Sequence, residues 1–187
     1  MLISSMEDFN KHSWQQKQER VIFRNKYIGL RNDLVQMPNG RETEYAVIEG
    51  RDFVTVLCKT DENKILLVNC FIYPWNTLTW TAVGGIIDAG ETPKQTAMRE
   101  AEEETGYSIK KVSLLQKCHP NFLNIAWNYI FLAEVRKDDS KTILDPNEIV
   151  NVKEFSKAKV MKMIEQEEII HSSSIIAFTL AQLRNLI

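Results

Sequence analysis

The sequence predicts an α/β fold in which an N-terminal antiparallel β layer is followed by alternating strands and helices, packed as one domain. Three observations carry this. The chain has 187 residues, 44% of them hydrophobic, enough to bury one proper core and too few for two full domains with linkers. Segments that alternate apolar and polar residues are separated by turn residues, as in strands, and other stretches carry apolar residues at helical spacing. No low-complexity segment and no repeat at a period of about 20 to 50 residues is present, which removes solenoid and propeller folds.

Taken in order, residues 1–20 mix charged and amide side chains without the apolar run of a signal peptide, and no later segment carries about 18 consecutive apolar residues. A soluble, cytoplasmic protein without a membrane span is expected. Residues 19–24 and 28–37 alternate, Pro38-Asn39-Gly40 supplies a turn, and 42–49 resume with β-type residues, which predicts an antiparallel meander. Residues 1–45 are therefore expected to form the β layer and 46–187 the main domain. Phe53–Cys58 reads as a buried strand, Asp61-Glu62-Asn63 as a turn and Ile65–Val68 as the hairpin partner. Further strands are expected at 109–118, 127–135 and 148–154, and helices at 93–105, around 156–165 and at 173–186. In the last helix Ile175, Ile176, Phe178, Leu180, Leu183 and Ile187 form an apolar stripe expected to pack on the core.

Lys plus Arg number 23 and Asp plus Glu 25, a formal charge of -2, so no global attraction to nucleic acid or an anionic membrane is expected. Phosphate binding must come from a local site. Cys58, Cys70 and Cys118 show no CxxC pairing and read as reduced thiols. His12, His119 and His171 have no ligand spacing between them. Trp75, Trp80 and Trp127 are each expected in the core before a base-stacking platform.

The chemistry concentrates in residues 85–107. Thr92 reads as an N-cap with Gln95 completing a capping box, Pro93 takes the first helical position and Gly106 provides a left-handed stop. Within that helix Glu100, Glu103 and Glu104 are spaced i, i+3, i+4, which puts three carboxylates on one face. Like charges repel there, and a negative cluster in the last turn opposes the helix dipole. A divalent cation would compensate, since magnesium prefers oxygen ligands and bridges to phosphates. The alternative is a solvated acidic face with Arg99 paired to Glu103.

The whole pattern resembles the Nudix box, G-x5-E-x7-R-E-U-x-E-E-x-G-U with U an apolar residue. Gly85, Glu91, Arg99, Glu100, Glu103, Glu104 and Gly106 match the fixed positions, with Ala101 and Tyr107 at the U places. The resemblance implies an α/β/α sandwich with a mixed β-sheet, and a loop-helix-loop that binds magnesium, with manganese as a substitute. It implies Glu100, Glu103 and Glu104 as metal ligands, the Gly85 carbonyl as a backbone ligand, and Arg99 and Glu91 as residues that orient them. Glu103, Glu104 and Arg99 are the expected catalytic residues within the box.

Similarity extends over most of the chain towards the ADP-ribose and nucleoside-diphosphate-sugar pyrophosphatases. It rests on the PNGRETEYAVIEG turn and strand, the segment Ile65–Pro74, Pro120 with Phe131-Leu132-Ala133, and the acidic loop Leu144–Glu148. That loop offers Glu148 as general base or further metal ligand, with Asp145 as the fallback. Asn69 and Ile72 stand where that branch carries arginines for the diphosphate, and Thr81 and Val83 where E-x-P precedes the glycine pair. The resemblance further implies a homodimer through the β layer, in which Val21, Phe23, Tyr27, Ile28 and Leu30 are apolar. The expected activity is metal-dependent hydrolysis of the diphosphate in a nucleoside diphosphate linked to another group. Alternatives are a nucleoside triphosphate or oxidised-nucleotide pyrophosphohydrolase, and a non-catalytic nucleotide-sensing module.

Overall fold

The computed structural model describes residues 6–138, 140 and 149–187. The chain divides into two compact units, one built on residues up to Arg51 with the excursion His119–Ala126, the other on Asp52–Cys118 and Trp127–Ile187.

The first unit begins with helix α1 (Met6–His12) and strand β1 (Gln15–Gln18), neither of which the alternation pattern reveals. Strands β2 (Val21–Arg24), β3 (Ile28–Gln36) and β4 (Glu42–Gly50) follow. β3 is central. β4 pairs along its whole length, from Ile28 opposite Gly50 to Gln36 opposite Glu42, while β1 and β2 share its other edge. The turn between β3 and β4 closes where Met37 N–H donates to the Arg41 carbonyl at 2.8 Å, with Gly40 at φ +82°, a conformation that favours glycine. Arg31 ties the sheet together through Asp33 at 2.9 Å and Glu49 at 2.8 Å. β2 is exposed at all four residues, and Ile22, Phe23 and Tyr27 are each more than half exposed.

The second unit carries strands β5 (Phe53–Thr60), β6 (Ile65–Ile72), β7 (Thr77–Thr81), β8 (Val83–Ile86), β9 (Tyr107–Cys118), β10 (Asn128–Lys137) and β11 (Ile149–Phe155). Helices α2 (Pro93–Thr105), α3 (Lys157–Glu165) and α4 (Ser172–Leu183) complete it. The sheet is mixed: β10 runs parallel to β5, and the remaining pairs are antiparallel. Side chains alternate across β5 and β6 between two cores, because a strand of period two buried on both faces must feed both. Leu57, Ile65 and Leu67 join Val160, Met163 and Phe178 of α3 and α4. Val54, Val56, Cys58, Leu66 and Val68 join Ala97 and Ala101 of α2. Helices on both faces make this the expected α/β/α sandwich.

β5 and β6 form the expected hairpin, but they pair only at Cys58 with Leu66 and Lys59 with Ile65. Beyond that point they splay apart. β8 then pairs with β5 and β7 with β6, so the opening is lined by backbone from four strands. Between β6 and β7 a short 3-10 turn, Tyr73–Trp75, ends at Asn76 in the left-handed region, φ 49°, which asparagine tolerates better than most residues.

The expected apolar stripe packs on the core at Phe178, which is buried, and at Ile175, Leu180 and Ile187, which lie partly buried against the same cluster, and it fails only at Ile176 and Leu183. The buried residues of α4 are Ser173, Ser174, Ala177, Phe178 and Ala181, while Ile176 is 39% and Leu183 74% exposed. Small side chains let the helix backbone approach β5 and β10 closely, and close packing of the whole helix outweighs burial of two more aliphatic groups. The acidic loop 144–148, with Asp145 and Glu148, lies outside the described residues.

Candidate active site

α2 starts and ends as its sequence dictates. Gln95 N–H donates to Thr92 Oγ1 at 3.3 Å and Thr92 N–H to Gln95 Oε1 at 2.9 Å, the reciprocal capping box. Pro93 occupies the first turn, and Gly106, at φ 70°, caps the end by donating its N–H to the Glu102 carbonyl at 2.9 Å. Thr96, Ala97, Ala101 and Thr105 are buried, which leaves the adjoining glutamates along the flank of the contact.

Arg99 organises that flank. Its Nε and Nη2 donate to the two oxygens of Glu91, both at 2.9 Å, while Nη1 donates to Glu100 Oε1 at 2.8 Å and Glu103 Oε2 at 3.1 Å. The fork to Glu91 is bidentate, the geometry for which a guanidinium is preorganised. Thr96 adds a hydroxyl donor to Glu91 Oε2 at 2.8 Å. The Arg99 and Thr96 hydrogen bonds hold the Glu91 carboxyl down to about 2. Burial acts oppositely on Glu100, raising its pKa against the pull of Arg99. One guanidinium thus offsets the repulsion that makes this helix face unfavourable by itself.

Gly85 is needed for this packing. A Cβ there would lie 2.0 Å from Glu100 Oε1 and 2.1 Å from its Cδ, so only glycine lets β8 accept the Glu100 carboxylate.

Glu104 faces elsewhere. It lines a cavity of about 610 Å³ set in the splay between β5 and β6, together with Gly85, Thr55, Thr81, Ile72 and Trp75. Cys58 is wholly buried, and burial first and the Glu104 charge second push its thiol far above the ordinary range, so it is an inert core residue. His171 also lines the cavity, its ring centroid 6.0 Å from that of Trp75. No sequence spacing links Trp75 and His171, and the fold brings them together. Of the two positions read as missing arginines, Ile72 lines the cavity and Asn69 does not.

The other aromatic and histidine candidates lie apart from this cavity's lining. Trp80 packs edge-on against Phe155 with centroids 4.9 Å apart, and Lys117 Nζ sits 4.2 Å from the Trp127 ring. His119 Nδ1 hydrogen-bonds the Ala126 carbonyl at 3.0 Å. His12 ends α1.

The donors suit a hard divalent cation: three carboxylates and a backbone carbonyl, with oxygen throughout. The recess that Gly85 provides for Glu100 supports the fit. Among the described residues no three Asp, Glu, His or Cys side chains converge on one point. Arg99 draws Glu100 and Glu103 to itself while Glu104 faces the cavity.

The profile of the NUDIX domain matches residues 50–175. The chain belongs to the Nudix family. The profile described as the nucleoside diphosphate sugar hydrolase N-terminal domain matches residues 14–48. An ADP-ribose pyrophosphatase of Bacillus subtilis (strain 168) is 32% identical over 165 residues, 87% of this chain and 89% of that protein. The methanol dehydrogenase activator of Bacillus methanolicus is 28% identical over the same shares. A crystal structure of an ADP compounds hydrolase superposes with a TM-score of 0.78 at 17% identity, covering 91% of this chain and 92% of that one, a likeness of fold. This Nudix protein is a pyrophosphohydrolase, and enzymes of its family use divalent metal ions. Among the described residues no helix is long and apolar enough to cross a membrane.

Proposed function

We propose that this enzyme hydrolyses the diphosphate of a nucleoside diphosphate linked to a second group, of the ADP-ribose or nucleoside-diphosphate-sugar class, with magnesium as the metal and manganese as a substitute. The observation that carries the reading is the Arg99 cluster, seated against Gly85 at the rim of a cavity that contains Glu104. Glu100, Glu103 and Glu104 and the Gly85 carbonyl would hold the metal. Once bound, the metal supplies charge neutralisation at the phosphoryl oxygens and lowers the pKa of an attacking water. The chain's own residues do the positioning. Glu91 fixes Arg99 with two hydrogen bonds, Arg99 fixes Glu100 and Glu103 with one each, and the rotamers of both glutamates are set before substrate arrives. Glu148, with Asp145 as fallback, is the candidate for taking the proton from the water.

One relative and one family profile support the substrate class: the Bacillus subtilis protein bears the name ADP-ribose pyrophosphatase, and residues 14–48 match the nucleoside diphosphate sugar hydrolase N-terminal domain. Ile72 in the cavity wall supplies no charge to a phosphate, so the metal carries more of the diphosphate binding and ADP-ribose is hydrolysed weakly. Residues 1–45 form the layer through which two copies associate, a reading supported by the exposed Val21, Phe23, Tyr27, Ile28 and Leu30. No disulfide joins the three cysteines, in keeping with a cytoplasmic location. The test is product analysis on a panel of nucleoside diphosphate conjugates with and without magnesium. Metal-dependent formation of two monophosphate products from at least one conjugate is expected, and cleavage of nucleoside triphosphates alone would overturn the substrate class.

A further inference from the structure

Resting on the reading of the protein as a nucleoside-diphosphate hydrolase, we propose that the cavity beside Glu104 is a nucleobase pocket, with Trp75 as its stacking face and His171 as a hydrogen-bonding specificity residue.

The lining decides which end of the substrate enters. Among the described residues no Lys or Arg lines the cavity, and its one carboxylate, Glu104, belongs to the box that would hold the metal. The diphosphate is therefore kept beside Glu104 and Gly85, and the rest of the interior offers no cation to a further phosphate. What remains is a choice between a sugar and a base. Val54, Val68, Phe71, Ile72, Ile86 and Ile149 make the walls largely apolar. A sugar brings a hydroxyl on almost every carbon and would leave several unsatisfied in such walls, whereas a base offers two π-faces and a few edge atoms. Trp75 is 45% exposed although it stands in the cavity wall, so its ring has surface left for a ligand. A π-face accepts any base, by stacking.

His171 is built into the scaffold. It precedes α4, and its Nδ1 lies 2.9 Å from Ser174 Oγ, which itself accepts the Ala82 N–H at 2.9 Å. Ser174 is buried, so its hydroxyl proton needs an acceptor, and Nδ1 is within reach. With Ser174 as the donor to Nδ1, the ring is neutral and carries its proton on Nε2, and burial favours the neutral form as well. Among the described residues Nε2 makes no hydrogen bond, so it can donate to a base carbonyl or ring nitrogen. Ala82 joins β7 to β8, and Ser174 thereby ties the His171 ring to the strand that carries Gly85.

Equilibrium binding of nucleoside monophosphates and of ribose 5-phosphate to the whole protein, by calorimetry with calcium present, tests this directly. At least one of AMP, GMP, CMP and UMP is expected to bind about fivefold or more tightly than ribose 5-phosphate, the preference expected of one stacked base. Trp75→Ala should abolish the preference and Trp75→Phe restore most of it. His171→Ala should change the ranking among the four bases, and the rise in KM for a cleavable conjugate should exceed the fall in kcat in both alanine variants. Ribose 5-phosphate binding as tightly as every nucleotide, or Trp75→Ala leaving the preference intact in a protein that still cleaves its substrate, would overturn the pocket assignment alone. A wild-type protein that cleaves no diphosphate conjugate would overturn the underlying functional reading instead.

Discussion

Gly85→Ala tests the packing on which the site depends. The added Cβ would stand 2.0 Å from Glu100 Oε1, and ordinary contact begins near 3.4 Å, so the carboxylate must retreat by about 1.4 Å. Glu100 has little room to do so, since its side chain is 15% exposed and one oxygen is held by Arg99 at 2.8 Å. A misplacement of about 1 Å at a catalytic group costs roughly 10²-fold in rate, and that is the expected fall in kcat at saturating magnesium. Overpacking of a built core costs about 1–3 kcal/mol, so the melting temperature should drop by several degrees while the protein stays folded at 25 °C. Shortening the obstructed side chain, as in the Gly85→Ala, Glu100→Asp double variant, should recover part of the rate by removing the clash. Steady-state hydrolysis and thermal melts of the three proteins read all of this. A Gly85→Ala variant within twofold of wild type would refute the claim that Glu100 must sit against the Gly85 backbone.

Other outcomes follow from the same geometry. Glu103→Gln and Glu104→Gln should each lower turnover by orders of magnitude without lowering the metal-free melting temperature, because each removes a charge from a self-repelling face; near-normal hydrolysis by either would reject it as a metal ligand. Magnesium at about 100 times its dissociation constant should add about 2.7 kcal/mol, roughly 5–10 °C in a chain of this size, and a melting curve indifferent to millimolar magnesium, with or without nucleotide product, would count against the site. Glu91 is held at about 2 against an ordinary 4.5, so its contribution to stability is complete above pH 4.5 and is lost as the pH falls from there towards 2. Melting temperature should therefore decline less over that interval in Glu91→Gln than in wild type, and equal slopes would contradict the Arg99 pairing. Light scattering at micromolar concentration should report a dimer that Phe23→Glu dissociates; a monomeric wild type would rule out the β-layer interface.

How far these features could be read from the chain depends on whether their cause is local. α2 was legible to its ends because Thr92, Pro93, Gln95 and Gly106 act within a few residues of themselves. The box was legible for the same reason, seven fixed residues lying in one short window. The splay of β5 from β6 was not, since it arises from pairing with β7 and β8, which the apolar run at 65–68 does not encode. Trp75 and His171 meet only through that topology. For α4 the hydrophobic stripe found the packed face at Ile175, Phe178, Leu180 and Ile187 but missed Ala177 and Ala181, which are buried by how closely the helix approaches the sheet. β1, rich in glutamine and exposed throughout, carries no alternation to detect. Its pairing with β3 is decided by the edge that β3 offers.

In the proposed reaction the box residues direct water to the phosphorus of a diphosphate, with a divalent metal required. Hydrolysis of a nucleoside diphosphate conjugate in oxygen-18 water, followed by phosphorus-31 NMR, measures this most directly. Two monophosphate products are expected, with the label in one of them, no turnover without a divalent metal, and loss of label incorporation in Glu104→Gln. Release of inorganic phosphate as the first product, or unchanged labelling in the absence of metal, would contradict that reaction.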